Sequence, residues 1–394
     1  MTLHMPQINP SGLRWARETA GLSLDTAARA LHLGGKRQSP EDCLRQYEDG
    51  VAAPSRPLIL KMAKTYHRPL LAFYLPEPPR KGERGEDFRT VPLERRAESA
   101  GPLDALVRDV YVRQRLVRTT LEDAEEAVRL PFVGSVGIDQ DVATVAGLLA
   151  RQLHFDLRVF RAQRSVEEAF RYLRAQVERS GVFVLLIGNL GSHHSNVGVD
   201  VFRGFALADD VAPFIVINDQ DAKPAWSFTM LHELAHIWLG RTGVSAGALD
   251  QRVEKFCNDV ASQLLMPDAE LGQWQFDAVA VDDIAREIQT YAEQRKISRS
   301  MVAYRLLRAG RLSHTAWHTL TERFYAEWIA GKAADKKSAM GGGPSYYVVR
   351  RHHLGQALLD LVKRTLAEGI LTPTKAGRVL GVRPVNVATL MENA

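Results

Sequence analysis

The chain has 394 residues, 45% of them apolar and 25% charged, which is the composition of a globular protein with two or three domains. The net charge of +5 is mild, and two cysteines cannot form a disulfide framework. The N-terminus lacks a signal-peptide pattern, and no run of about 18 apolar residues could span a membrane. We therefore expect a cytoplasmic protein with no membrane segment.

Short helices are predicted at the N-terminal end of the chain. Within residues 12–76 the apolar positions recur three and four residues apart, which is the helical period. Gly21 ends the first helix, and Ser23 or Asp25 can accept the free backbone N–H groups of the second. Short helices joined by tight turns are typical of a helix-turn-helix bundle.

The composition of the sequence changes twice after these predicted helices. Residues 77–102 are rich in proline and charge, which predicts an extended linker, and residues 103–139 then contain connecting helices. Three β-branched, apolar runs follow, separated by Gly, Asn, Asp and Pro, and they predict a small mixed sheet. These runs are GVFVLLIG (181–188), VGVDVFRGFAL (197–207) and PFIVIN (213–218).

The segment TMLHELAHIWLG (229–240) places two histidines four residues apart, so both project from one face of a helix. His232 and His236 can together bind one metal ion, and Glu233 lies beside them. Zinc acidifies a water that it binds, and a carboxylate can take the proton of that water as it attacks a carbonyl. The H-E-x-x-H spacing thus indicates zinc-dependent hydrolysis.

A buried helix with hydrogen-bonded histidines is the alternative. The rest of the segment is almost entirely apolar, so the helix is expected to be buried all round, where an unpaired His or Glu is costly. A metal ion removes that cost, so we favour the zinc site.

A catalytic zinc site usually has three protein ligands. Glu254, on the next predicted helix, is the best third candidate. Asn258 or Asp259 could accept the second N–H of a ligating histidine. No residue is singled out to stabilise an oxyanion, and Tyr291, Tyr304 and His314 are only possible candidates.

FTMLHELAHIWLG followed by VEKFCNDVASQLLMP resembles the ImmA/IrrE-type zinc metallopeptidases. The resemblance implies zinc held by His232, His236 and Glu254, with Glu233 as the general base. Cys257 stands where alanine is usual in that family, and we interpret it as a packing residue rather than a ligand.

The N-terminal segment resembles lambda-repressor-like (Xre-type) DNA-binding domains, in LRWARETAGLSLDTAARAL and QYEDGVAAPSRPLILKMAKTY. In such domains the third helix enters the major groove of double-stranded DNA. Here that implies the helix Ser39–Tyr47, with four residues near DNA: Lys36, Arg37, Gln38 and Arg45. A purely protein-docking role is the alternative, because Glu41 and Asp42 would face phosphates.

We therefore predict an α+β protein, in which a minimal zincin-like core is flanked by all-α units of the helix-turn-helix type. The predicted segments are an Xre-type domain at 1–76, a linker at 77–102, connecting helices at 103–139, the zincin-like core at 140–275, a helical segment at 276–330, a Gly/Lys-rich hinge at 331–345 and a C-terminal helical unit at 346–394.

The predicted function is a zinc endopeptidase that cleaves a regulatory protein, and the family resemblance implies an Xre-type repressor as its substrate. The alternative is a DNA-binding transcription regulator whose zinc core acts as a sensor; an intact Glu233 favours the enzyme. We also expect the substrate to pair as an added strand with Pro213–Asn218, the strand before the zinc helix.

Overall fold

A computed structural model describes residues 8–35, 38–77, 96–190, 195–242, 248–275, 280–338 and 345–392. Within these ranges the protein is mostly helical with one small sheet, which confirms the predicted α+β class. No helix in the described ranges is long and apolar enough to cross a membrane. The chain divides into two compact units, residues 1–110 with 189–202, and residues 111–188 with 203–394.

The first unit contains short N-terminal helices, as the apolar spacing predicts. They are α1 (Pro10–Thr19), α2 (Leu24–Ala30), α3 (Pro40–Glu48), α4 (Arg56–Thr65) and a 3₁₀ turn, Leu70–Tyr74. The side chain of Ser23 accepts a hydrogen bond from the amide of Thr26, so Ser23 is the cap of α2. In the core of the unit, Arg17 makes a bidentate ion pair with buried Glu48, with N–O distances of 2.7 and 2.9 Å.

A long helix, α5 (Arg96–Asp123), follows, and the division between the units falls within it. The extended part of the predicted linker therefore ends before Arg96, and α5 continues through Pro102 although proline removes one backbone hydrogen bond there. Residues 78–95 of that linker lie outside the described ranges.

The second unit contains the sheet and most of the remaining helices. Its strands are β1 (Phe183–Leu186), β2 (Gly204–Leu207) and β3 (Phe214–Ile217), in the order β1-β3-β2. β1 pairs parallel to β3, and β2 pairs antiparallel to it, so the sheet is mixed as predicted.

The rest of the second unit is helical. Before β1 lie α6 (Val142–Gln152), α7 (Leu157–Arg161) and α8 (Val166–Arg179); after β3 come α9 (Lys223–Trp238), α10 (Ala248–Leu265), α11 (Asp268–Gln273), α12 (Val281–Arg295), α13 (Arg299–Arg308) and α14 (His314–Ser338). The C-terminal helices are α15 (Tyr346–Leu354), α16 (Gln356–Ala367), α17 (Pro373–Leu380) and α18 (Val387–Met391). The main hydrophobic core includes buried residues of α6, α8, α9, α10 and the inner face of the sheet.

The strand order corrects the expected docking site for substrate. β3 lies in the centre of the sheet and pairs along its length with β1 on one side and β2 on the other. The strand Pro213–Asn218 therefore has no free edge to which a peptide could add. On β1, the carbonyl of Val184 is also occupied, since Arg174 donates a hydrogen bond to it.

The predicted hinge at 331–345 begins as regular helix. α14 continues through Gly331 to Ser338, because the Ala and Lys residues there favour helix enough to tolerate a single glycine. Lys332 donates to the carbonyl of Gln220 at 2.9 Å, and its ammonium lies 5.2 Å from the ring centroid of Trp328. Residues 339–344 lie outside the described ranges.

Candidate metal centre

The H-E-x-x-H segment lies on α9. Pro224 occupies the first turn, where its missing amide costs no hydrogen bond, and a continuous apolar run extends the helix. Met230, Leu231 and Leu234 have no exposed surface, and Trp238 is 5% exposed. The helix is thus buried almost all round, as the sequence predicts.

The C-terminal end of α9 is closed by a turn from another part of the chain. The amide of Gly134 donates to the carbonyl of Ile237 at 3.1 Å, and that of Val136 donates to the carbonyl of Trp238 at 3.2 Å. Gly240 reverses the chain with a φ of +66° and lies against Gly134. These contacts satisfy carbonyls that a helix end leaves free, and so they fix the last turn, which carries His236.

α10 packs beside α9 and brings the predicted third residue to the two histidines. His232 Nε2 lies 3.1 Å from His236 Nε2 and 3.1 Å from Glu254 Oε2. His236 Nε2 lies 3.3 Å from Glu254 Oε1. In the described ranges these three side chains are the one His, Cys, Asp or Glu group with ligand atoms close enough to hold a metal ion.

The convergence of these three side chains fits a divalent cation. Zn–N and Zn–O bonds of about 2.0–2.2 Å in a tetrahedron separate neighbouring ligand atoms by about 3.3–3.6 Å, close to the distances observed here. Three lone-pair donors this close repel one another unless protons or a cation lie between them. Protons can bridge pairs of these atoms, whereas one cation satisfies all three.

The pKa values of Glu254, in the cluster, and of Glu233, beside it, are shifted in opposite directions. Burial opposes ionisation of Glu254, but hydrogen bonds and charge from both histidines outweigh that effect and hold the pKa of its carboxyl well below the usual range. Burial raises the pKa of Glu233 to about 8; the charge of His236 opposes this rise and Glu254 adds to it. Glu233 is 7% exposed and has the raised pKa expected of a buried proton acceptor.

The predicted acceptors for the histidine N–H groups require correction. Asp259 accepts hydrogen bonds from Tyr304 Oη at 2.6 Å and from Arg308 Nε and Nη2 at 2.9 Å each. It points away from the cluster because five helical residues rotate it by about 140° from Glu254. Among the described residues nothing accepts a hydrogen bond from Nδ1 of either histidine, so Asn258 does not do so either.

The residues considered for an oxyanion have other contacts. Tyr291 donates to Glu270 at 2.8 Å and stacks on Trp274, while Tyr304 is bonded to Asp259. His314 is exposed at the first residue of α14. Neither tyrosine hydroxyl is therefore directed at the cluster.

Cys257 is fully buried in the core, in agreement with its interpretation as a packing residue, and burial raises the pKa of its thiol.

The predicted DNA-contacting residues lie in the first unit. Ser39 caps α3, and Arg45 is exposed in its last turn. Gln38 pairs with Gly35 in an isolated antiparallel β-bridge just before the helix. Lys36 and Arg37 lie outside the described residues.

The cluster, its two helices and the sheet beside them suggest a hydrolytic site, and a family comparison agrees. Residues 193–307 match the family model of the IrrE N-terminal-like domain, Peptidase_M78. The match supports a peptidase of the ImmA/IrrE type. The matched range includes β2, β3, α9 and α10, and with them every member of the cluster. Searches of curated proteins and of solved structures gave no match.

Two features around the cluster could not be assigned from motif spacing. One is the turn containing Gly134, which is about 100 residues from the helix that it closes. The other is Gly204 on β2, which lies against Glu233. A glycine inside a strand is a general sign of close backbone approach, so Gly204 was detectable in principle, but its partner was not.

Proposed function

We propose that the protein is a zinc-dependent endopeptidase that cuts a regulatory protein. The observation that carries the proposal is the convergence of His232, His236 and Glu254, with Glu233 on the same helix as the histidines. In this proposal the first three residues bind zinc and Glu233 is the general base. The family match supports the peptidase part of the proposal.

Zinc, when bound, polarises the scissile carbonyl and acidifies water next to it. Glu233 accepts the proton of the attacking water and passes it to the leaving amine. Its nearly complete burial keeps the carboxylate poorly solvated and therefore basic. The almost wholly apolar surroundings of α9 hold the reacting groups in a low-dielectric environment, where charge stabilisation is strongest.

For the substrate, we propose an Xre-type transcriptional repressor that is cut once or a few times. The resemblance to the ImmA/IrrE family supports this choice, because its members act on such repressors. The chain also has a helical N-terminal unit with its own core, which could bind the repressor or its DNA and raise the local substrate concentration.

The test is incubation of the full-length protein with purified Xre-type repressors, with zinc and with a chelator, followed by mass spectrometry of the products. We expect a few defined fragments in the presence of zinc and none with the chelator. Intact repressors under all metal conditions would contradict the proposed substrate class, and cleavage that survives the chelator would contradict the zinc mechanism.

A DNA-binding regulator with a zinc-sensing core is the second candidate. The observation that favours it is the N-terminal helical unit, in which α3 presents exposed Arg45. A sensor needs metal ligands but no general base. A variant that keeps zinc but lacks the carboxylate of Glu233, and that no longer relieves repression, would therefore favour the enzyme over the sensor.

A further inference from the structure

Gly204 begins β2 and faces α9. Side chains alternate along a strand, so Gly204 and Ala206 point to the same face of the sheet. Ala206 is fully buried in the core that α9 shares. The two smallest side-chain types therefore lie where the helix carrying the H-E-x-x-H motif crosses the strand.

The space at Gly204 is too small for any side chain. A Cβ atom there would lie 2.6 Å from Cγ2 of Thr229, 3.0 Å from Oε1 of Glu233 and 3.0 Å from the carbonyl oxygen of Val216. Thr229 and Glu233 are four residues apart, so they form one ridge of α9, and this ridge lies against the strand. Cγ2 of Thr229 thus fills most of the volume that a methyl group would take, and the carboxylate of Glu233 lies at its border.

Backbone conformation does not require glycine at this position. Gly204 is not among the glycines with positive φ, and glycine generally weakens a strand. Close approach to Thr229 and Glu233 is the physical reason that remains.

We propose that Gly204 is a positioning residue: its missing side chain sets where the carboxylate of Glu233 lies relative to the metal-binding histidines. The proposal rests on the proposed function for its catalytic consequence, but the contact itself does not. An added methyl group must move either the carboxylate or the whole helix. Val216 is held in the centre of the sheet, and Thr229 is attached to the helix through one restricted rotatable bond, so the longer side chain of Glu233 is the most mobile of the three neighbours.

The first test measures the contact without any activity. A double-mutant cycle combines Gly204→Ala with Glu233→Ala in metal-free full-length protein, and urea unfolding reports the stability of each. We expect Gly204→Ala to destabilise the wild type more than it destabilises Glu233→Ala, since the shorter side chain removes the tight contact with Oε1 of Glu233 and leaves the one with Cγ2 of Thr229. Equal destabilisation in both backgrounds would overturn the proposal.

The second test measures the consequence for catalysis, with a purified Xre-type repressor as the substrate. For Gly204→Ala we expect kcat to fall roughly 10- to 100-fold, as for a reacting group displaced by about 1 Å, with KM and zinc affinity within about threefold of the wild type. Gly147→Ala is the control, because a methyl group on this half-buried glycine of α6 would meet only Arg151 Nη1 at 3.8 Å.

Thr229→Ser separates the two neighbours, because it removes Cγ2 and keeps the hydroxyl. If Thr229→Ser restores kcat to Gly204→Ala, then helix displacement rather than Glu233 accounts for the loss, and the proposal fails. An equal loss of zinc affinity and kcat in Gly204→Ala would also show that the helix has moved, and the proposal would fail. A wild-type protein that cuts nothing would contradict the proposed function, while the unfolding cycle would still decide the role of Gly204.

Discussion

At the scale of single residues, the candidate metal centre combines side chains from α9 and α10. α9 supplies two imidazoles and a buried carboxylate, and α10 supplies the carboxylate of Glu254, which is 3.1–3.3 Å from both imidazoles. The two glutamates differ in environment, since hydrogen bonds hold Glu254 ionised and burial keeps Glu233 basic. Their pKa values are shifted in opposite directions, as expected for a ligand and a proton acceptor.

Replacement of Glu254 should therefore weaken metal binding. In Glu254→Ala we expect zinc affinity, measured by competition with a chelator, to fall by more than about 100-fold, because loss of a direct ligand costs more than loss of an outer partner. Lys255→Ala is the matched control, since Lys255 is the exposed neighbour on the same helix. An affinity within a few-fold of the wild type would remove Glu254 from the proposed site.

At the scale of elements, two sets of contacts hold the helices in place. One closes the end of α9, and the other joins α7, α11 and α12. The Gly134 turn closes the last turn of α9, and a Cβ atom on Gly240 would lie 3.0 Å from the Cα of Gly134. Farther along the chain, Glu270 of α11 accepts hydrogen bonds from Arg161, Tyr291 and Arg295, and so ties α7 and α12 to α11.

Gly240→Ala should destabilise the protein for two reasons, the positive φ and the collision with Gly134. The φ alone costs about 1–2 kcal/mol for a residue with a Cβ. Gly310→Ala is the matched control, because Gly310 has a φ of +69° and no atom near its Cβ position. In urea unfolding we expect the Gly240 variant to lose more stability than the Gly310 variant; equal losses would show that the close approach to Gly134 is unimportant.

Glu270 should make the protein sensitive to acid. Burial opposes its ionisation, but hydrogen bonds from Arg161, Arg295 and Tyr291 outweigh burial and lower the pKa of the carboxyl below that of a free glutamate. A lowered folded-state pKa stabilises the protein above the unfolded value, and the contribution disappears as pH falls through the folded value.

Glu270→Gln should accordingly reduce the free energy of unfolding by about 1.5–3 kcal/mol at pH 7, the range for hydrogen bonds to charged groups. The difference from the wild type should shrink as the pH falls below about 4.3, the pKa of an unperturbed glutamate. Glu287→Gln on α12 serves as the control. A difference that stays constant from pH 7 to pH 3 would show that ionisation of Glu270 does not matter.

The sequence predicts elements better than it predicts their neighbours. α9 and α10 follow from helical spacing and from Gly240 and Pro267. The pairing of the two histidines follows from the motif, and Glu254 as their partner follows from the family resemblance. Strand order does not follow, because β3 becomes central only through pairing with β1, some 30 residues away. The contacts of Asp259 with Tyr304 and Arg308 involve residues about 45 positions later, which no local pattern indicates.

At the scale of the whole molecule, the chain joins a unit of short helices to a unit with a peptidase-like core. The helical N-terminal unit has the buried Arg17–Glu48 pair and a compact apolar core, so its surface residues are held on a defined scaffold. Binding of double-stranded DNA by this unit remains a prediction from sequence resemblance, as does docking of a repressor.

If the unit binds DNA, Arg45 should contribute through phosphate contact. In the full-length protein we expect the affinity for a mixed duplex library to fall with salt, and Arg45→Ala to reduce the slope of log affinity against log salt by about one. Arg286→Ala, which removes an exposed arginine from the second unit, should leave the slope unchanged. No binding even at low salt would favour a protein-docking role.

The central claim is that Glu233 is the base of a zinc peptidase, and Glu233→Gln tests it most directly. Glutamine keeps the size of the side chain but cannot take a proton, so zinc binding and proton transfer are separated. Zinc content and cleavage of an Xre-type repressor should be measured on the same preparations of wild type and variant. We predict one zinc per chain in both proteins, and cleavage slowed by about 10²–10⁴-fold or more in the variant. A zinc-loaded variant that cleaves at the wild-type rate would contradict the claim.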